Sequence, residues 1–135
     1  MLRRITVATV AERNVASAEA YYKAMNNKDA AGVARHLHPR VQSIGPMANL
    51  AGKEAVLEAA KRFMSLLKEI KIRAKFSSED RAMLTCDADF GEPIGICRTA
   101  VLMKFQDGLI ARIELFYDAR PFERNLKKDA IFPPR

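Results

Sequence analysis

The chain has 135 residues, 49% of them hydrophobic and 29% charged, a length and balance that suit one globular domain with a single core and exclude two. No apolar run approaches the roughly 20 residues of a membrane-spanning helix, and the apolar start from Ile5 meets Glu12 and Arg13 too soon for a secretory leader, so the expected location is the cytoplasm. Lys and Arg number 23 against 16 Asp and Glu, a net charge of +7 that permits an anionic partner without requiring one, while Cys86 and Cys97 have neither metal-site nor disulfide-framework spacing.

Thr9 with Glu12 three residues later has the form of a capping box. Apolar positions Ala11, Val15, Ala18, Tyr22 and Met25 then recur at helical spacing, which predicts a first helix ending at Asn26-Asn27. Asp29 is placed to cap a shorter second helix, striped with Ala30, Val33, Ala34 and Leu37 and stopped by Pro39. Val41 to Ile44 is expected as a brief strand. After the turn-rich Gly45-Pro46 stretch, Gly52 precedes a third helix whose apolar side carries Val56, Leu57, Ala60, Phe63, Met64 and Leu67.

From Ile70 the period changes to two: Ile70, Ile72, Ala74 and Phe76 face a core while Lys71, Arg73 and Lys75 face solvent. Three more strands are predicted over 82–90, 95–105 and 109–118, joined by hairpin turns at Gly91-Glu92-Pro93-Ile94 and Gln106-Asp107-Gly108, and 120–135 is expected as loop. Helices followed by an unbroken meander define an α+β domain, with helices covering one face of a curved antiparallel sheet. A three-residue hairpin at Gln106 to Gly108 sets Met103 opposite Ala111, Val101 opposite Ile113 and Thr99 opposite Leu115 on the core side. It sends Arg98, Arg112 and Glu114 to the outer side, where Asp87, opposite Arg98, and Asp89 join them in cross-strand ion pairs rather than an acid–base site. The Lys71, Arg73, Lys75 row has no interleaved aromatic residue for stacking bases, so nucleic acid ranks last among partners and no membrane partner is expected.

Four segments carry a family resemblance: Tyr21-Tyr22 through Asp29, His36-Leu37-His38-Pro39, Gly52 through Val56, and Met103 through Asp118 with its strand, Asp107-Gly108, strand and Phe116-Tyr117-Asp118. Together, over about residues 14–122, the chain resembles the SnoaL-like branch of the nuclear transport factor two-like superfamily, which holds ketosteroid isomerases, polyketide cyclases, limonene epoxide hydrolases and domains that only bind or scaffold. The resemblance implies a cone-shaped α+β barrel, with three N-terminal helices on the concave face of the sheet, a deep pocket between them and frequent dimerisation through the convex face.

The same resemblance locates the carboxylates that its enzymes use. The isomerase base, an Asp just before a Pro in the loop after the first strand, falls on Gly45, and the oxyanion-stabilising Asp of the third long strand falls on Val101. The Arg-x-Asp pair of epoxide hydrolases would fall near Ala82 to Leu84, which carry no charge. The helix tyrosine does match, at Tyr21, with Tyr22 beside it, and its hydroxyl is a candidate donor to a substrate oxygen. His36 and His38 are the candidate bases, and with Tyr21 they form the candidate catalytic set of a divergent isomerase, cyclase or lyase. Their i, i+2 spacing suits no helical metal site, and neither a metal nor a cofactor is expected.

The pocket lining is expected to combine Tyr22, Met25, Phe63 and Met64 from the helices with Ser43 from the first strand. Leu84, Cys86 and Ala88 would join them from one long strand, Cys97, Thr99, Val101 and Met103 from the next, and Ile113 and Leu115 from the last. Such a lining favours a hydrophobic small molecule as partner, with a homodimer through the outer sheet face as a separate expectation.

Overall fold

In the computed structural model, which describes residues 8–126, the capping box forms as the sequence predicts. Thr9 Oγ1 accepts from the Glu12 N–H at 3.1 Å and the Glu12 carboxylate accepts from the Thr9 N–H at 3.4 Å, opening α1 (Val10–Asn26). The helix ends in a Schellman motif. Asp29 N–H donates to Ala24 O at 2.9 Å and Lys28 N–H to Met25 O at 3.0 Å, with Lys28 at φ 56° where glycine is usual. The Lys28 ammonium donates to the carbonyls of Met64 and Leu67, so one residue closes the ends of two helices. Asp29 then caps α2 (Ala30–Arg35) by accepting from the Gly32 N–H at 2.9 Å. Glycine at position 32 makes room for this cap, because a Cβ there would lie 2.4 Å from Asp29 Oδ2 and 3.0 Å from Ala24 Cβ.

The second helix is shorter than predicted, and the first strand longer. β1 (Leu37–Ile44) begins directly after His36, so Pro39 lies within a strand rather than ending a helix. It sits in the irregular stretch between two pairs, Leu37–Ile110 and Gln42–Arg112, where a missing N–H removes no ladder bond. Hairpin partner β2 (Asn49–Ala51) was not predicted; α3 (Lys53–Leu66) was, and it buries Val56, Ala60 and Met64.

β3 (Glu69–Ser78), β4 (Arg81–Asp89), β5 (Ile96–Gln106) and β6 (Leu109–Phe116) form the expected antiparallel meander, in a six-stranded sheet of order β2-β1-β6-β5-β4-β3. The sheet is mixed rather than wholly antiparallel, because β1 joins β6 parallel. Helix α1 packs across β3 and β4, and α3 against β1, which places both on one face. The Asn26 side chain, at the end of α1, bonds both backbone groups of Ile70, at 2.7 and 2.8 Å, and so occupies the start of edge strand β3 as another strand would.

Two bulges change the predicted register. The last hairpin turns on two residues, Asp107 at φ 53° and Gly108 at φ 77°, and Ala111 is then skipped between the Phe105–Ile110 and Lys104–Arg112 pairs. Met103 therefore faces Ile113 and Val101 faces Leu115, and the bulge turns both Ile110 and Ile113 into the core in place of Ala111.

The second bulge leaves Arg73 unpaired between Ile72–Cys86 and Ala74–Thr85. Alternation resumes with the opposite sense, so Lys75 turns to the helix side and pairs with Glu19 of α1 at 3.0 Å, while Phe76 turns outward. The predicted basic row is thus broken, and the outer face carries apolar residues instead. Phe76, Met83 and Leu102 stand side by side across three strands, with Ala74, Ala100 and Phe116 alongside. Asp87 does stand opposite Arg98, but its ion-pair partner is Arg73 at 2.8 Å; Arg112 pairs with Glu114 in its own strand at 3.0 Å, and Asp89 instead accepts from the Gly91 N–H at 2.9 Å. Such exposed pairs contribute about 0.2–1 kcal/mol each.

The tail, expected as loop, contains α4 (Arg120–Asn125), started by Pro121 in its first turn; residues 127–135 of that expectation lie outside the described residues. No described helix is long and apolar enough to cross a membrane.

Candidate functional site: a hollow at one end of the concave face

The strand register divides the concave face into rows. Ala82–Met103–Ile113 and Leu84–Val101–Leu115 form two rows of mostly large side chains, and Leu84, Val101 and Met103 are fully buried. The next two rows, Cys86–Thr99 and Ala88–Cys97, are small. Helices cannot sink into the space the small rows leave, because Tyr21, Tyr22 and Phe63 hold them away. The result is a cavity of about 120 Å³.

Its floor is Cys86, Ala88, Cys97 and Thr99, extended by Ile113, Leu115 and Ile70. Tyr21, Tyr22 and Met25 of α1 form one wall, and Val56, Ala59, Ala60 and Phe63 of α3 another. Ser43, Gly45, Ala48 and Leu50 close the β1–β2 side. Phe90, Tyr117 and Phe122 complete the lining from beyond the strand ends. Phe63, Phe90, Phe122 and Tyr117 meet edge to face in series, with ring centroids 5.2, 5.0 and 5.7 Å apart, so α4 is docked over the cavity by a chain of aromatic contacts.

Most of the expected lining is brought together: Tyr21, Tyr22, Met25, Ser43 and Phe63, then Cys86, Ala88, Cys97 and Thr99, and finally Ile113 and Leu115. Met64, Leu84, Val101 and Met103 are buried in the core but do not line the cavity. The lining residues that sequence reasoning missed are chiefly Phe90, Tyr117 and Phe122. Phe122 had a legible signal, an apolar residue just after a helix-starting Pro121, but a single turn of helix carries no periodicity.

Neither His36 nor His38 lines the cavity. His36 caps α2, where its carbonyl accepts from Ile110 N–H at 2.8 Å, and His38 Nδ1 accepts from the Arg40 N–H at 3.0 Å. His36 directly precedes β1 and His38 is its second residue, whereas the cavity begins at Ser43, five residues beyond His38, roughly 16 Å at strand rise. Proton transfer needs contact or one bridging water, so these imidazoles are out of reach of a guest. Burial, helped by Arg35, lowers the His36 pKa.

Among the described residues lining the cavity, none is Asp, Glu, Lys, Arg or His. The polar atoms present are hydroxyls and thiols, and burial holds their protons on. It raises Tyr21, raises Tyr22 with help from Tyr21 and Cys86, and pushes the Cys86 thiol up to about 11. Burial likewise raises Cys97, against the opposing contact with Thr99 at 3.6 Å, and pushes Tyr117 up to about 12. A thiol ionises near pH 8.5 in an unfolded chain, so above that value the unfolded state releases a proton that folded Cys86 keeps until about pH 11. The contribution of Cys86 to stability should therefore be level below about pH 8 and fall between pH 8.5 and 11. Urea midpoints across that interval test this, and Cys86→Ala should flatten the slope; an equal slope in the variant refutes the assignment.

A curved six-stranded sheet with N-terminal helices over a concave hollow is the nuclear transport factor two-like cone fold. The sequence profile of the SnoaL-like domain matches residues 18–113, and the chain belongs to that family. Among solved structures it is similar to a Kribbella flavida protein (TM-score 0.77, 23% identity, covering 82% of this chain and 90% of that one). It is also similar to a nuclear transport factor two-like protein of unknown function from Cytophaga hutchinsonii (0.72, 17%, 91% and 99%). A third likeness is to an LEH-like epoxide hydrolase of Mycobacterium tuberculosis (0.73, 13%, 86% and 90%). At these identities the likenesses show the fold. No curated protein matches the sequence.

Proposed function

We propose that this SnoaL-like domain binds a small hydrophobic molecule in the cavity, without the carboxylate pair with which relatives move protons. The observation that carries the reading is a hollow lined by carbon, hydroxyl and thiol groups, with no charged side chain among its described residues. A guest there gains from apolar burial and from a few oriented polar contacts. The alternative of a divergent isomerase, cyclase or lyase keeps Tyr21 as a donor, but no base stands beside it in the lining. The test is titration with a fluorescent apolar probe, beside an Ala88→Leu variant that fills the floor from a buried position. Saturable binding by the natural chain, lost in a variant that melts at least as high, supports the reading. Absence of binding, or unchanged binding in Ala88→Leu, overturns it.

We also propose that the convex face joins a second copy of the chain. Three of the four large exposed hydrophobics among the described residues, Phe76, Ile96 and Phe116, stand on it, around the half-buried Met83 and Leu102. Sedimentation over a concentration series should show a dimer that Phe76→Glu dissociates while the melting of the monomer is unchanged. A natural chain that sediments as a monomer at every concentration removes this proposal. The cytoplasm is proposed as its location, since Cys86 and Cys97, close together on neighbouring strands, are both free thiols.

A further inference from the structure

The cavity also has a chemical preference. We infer that it selects uncharged guests of about one ring that carry a hydrogen-bond acceptor, such as small cyclic ketones, esters or lactones, and rejects the carboxylates of the same skeleton. This rests on the reading of the cavity as a ligand site.

Three observations converge on that class. The first is size: a volume of about 120 Å³ is close to the roughly 150 Å³ of an engineered apolar cavity that admits benzene, which suits a guest of about one ring. The second is the lining itself. An ionised guest would leave water for a site where no described lining residue carries a compensating charge, and an unpaired buried charge is among the costliest groups to desolvate. Beyond the cavity, two carboxylates act on lining residues and do not help an anion. Asp118 lies close enough to Cys97, and Glu123 to Tyr117, to raise those groups further.

The third observation concerns the tyrosines. Tyr21 and Tyr22 are 3% and 7% exposed, yet among the described residues neither hydroxyl has a hydrogen-bond partner; their rings meet only each other, at 5.2 Å. Neither oxygen is sealed inside packed protein, since no buried side-chain polar atom lacks both a partner and access to open space. Both residues line the cavity, and we place their hydroxyls toward it. With their protons retained, two phenolic donors on one wall await an acceptor. On the opposite floor, Cys97 and Thr99 are already in contact with each other, beside Ala88 and Cys86. A guest therefore sits with its oxygen toward α1 and its hydrocarbon against the sheet. A hydrocarbon guest leaves the tyrosines unpaired, and a carboxylate adds a charge that they alone cannot offset.

Methyl cyclohexanecarboxylate, cyclohexanecarboxylate and methylcyclohexane separate these contributions, because they share one ring and differ in charge and acceptor. Calorimetry and displacement of the fluorescent apolar probe at neutral pH should rank the ester first and the carboxylate weakest, about tenfold or more below the ester. Tyr21→Phe with Tyr22→Phe should bring the ester down to the level of methylcyclohexane, leave methylcyclohexane itself unchanged, and keep the fold by circular dichroism. A carboxylate that binds as well as the ester overturns the inference, as does an ester preference that survives the double substitution. If those results come while the probe and methylcyclohexane still bind, only the preference fails. If nothing binds, the probe included, the ligand-site reading fails with it.

Discussion

Val101→Asp is expected to cost on the order of 3–5 kcal/mol, a large part of the stability of a domain of this size. Val101 is fully buried between Leu84 and Leu115, outside the cavity lining, so a carboxylate there meets neither solvent nor a donor. Urea unfolding followed by circular dichroism measures the loss, and a variant that unfolds at the natural midpoint would show that the hollow extends to this strand position. Gly45→Asp provides the contrast. A Cβ at position 45 would make van der Waals contact with Leu115 at 3.4–3.6 Å and with Tyr117 at 3.9 Å, both lining residues, and the site is only half-buried, so the loss there should be clearly smaller. The two positions onto which the resemblance maps the enzymes' carboxylates are thus unequal in this chain. One borders the cavity, and the other has become part of the packed core.

Phe122→Ala should undock α4. Phe122 is 3% exposed and touches Phe90 and Tyr117 edge to face, contacts worth about 0.5–1.5 kcal/mol each beyond the apolar area they bury. A buried Phe→Ala change costs roughly 3–5 kcal/mol, and here the loss is capped by the docking energy of one short helix, which places it near the lower figure. Two readouts distinguish undocking from general loss of stability. Trypsin should cut the Arg124–Asn125 bond rapidly, and the apolar probe should leave the cavity faster, while far-ultraviolet circular dichroism keeps the signature of the sheet. Slow cleavage and unchanged probe release would mean that other contacts hold α4 in place.

The helical half of the fold was legible because its signals are local. Thr9 and Glu12 close one helix start, Asp29 another, and each cap is complete within four residues. The ordering of the meander was legible too, since short turns leave hairpins as the simplest connection. What could not be read was set by partners distant in sequence. Uninterrupted alternation from Ile70 to Phe76 gives no hint that Arg73 drops out of the pairing, and Pro39 looks like a helix stop until β6 is present to accept β1 beside it. The same division holds for the site. Cys86, Ala88, Cys97 and Thr99 were placed on the concave face by alternation alone, and all four line the cavity. Leu84, Val101 and Met103 had the same alternation, but which end of that face stays hollow depends on where α1 lands. The histidines were placed at a helix end in the sequence, and their distance from the pocket follows from β1 starting so early.

The unpaired arginine in β3 has a consequence for how this surface can change. Removing Arg73 would leave the pairing as it stands, with Lys75 opposite Leu84 under α1 and Phe76 opposite Met83 outside, whereas pairing Arg73 with Thr85 would slip every later residue by one, carrying Phe76 under α1 and presenting Lys75 outside. A slip of one residue would thereby exchange grease for charge on two surfaces at once, so the bulge at this point, more than the identity of any single side chain, decides whether the outer sheet is sticky or soluble.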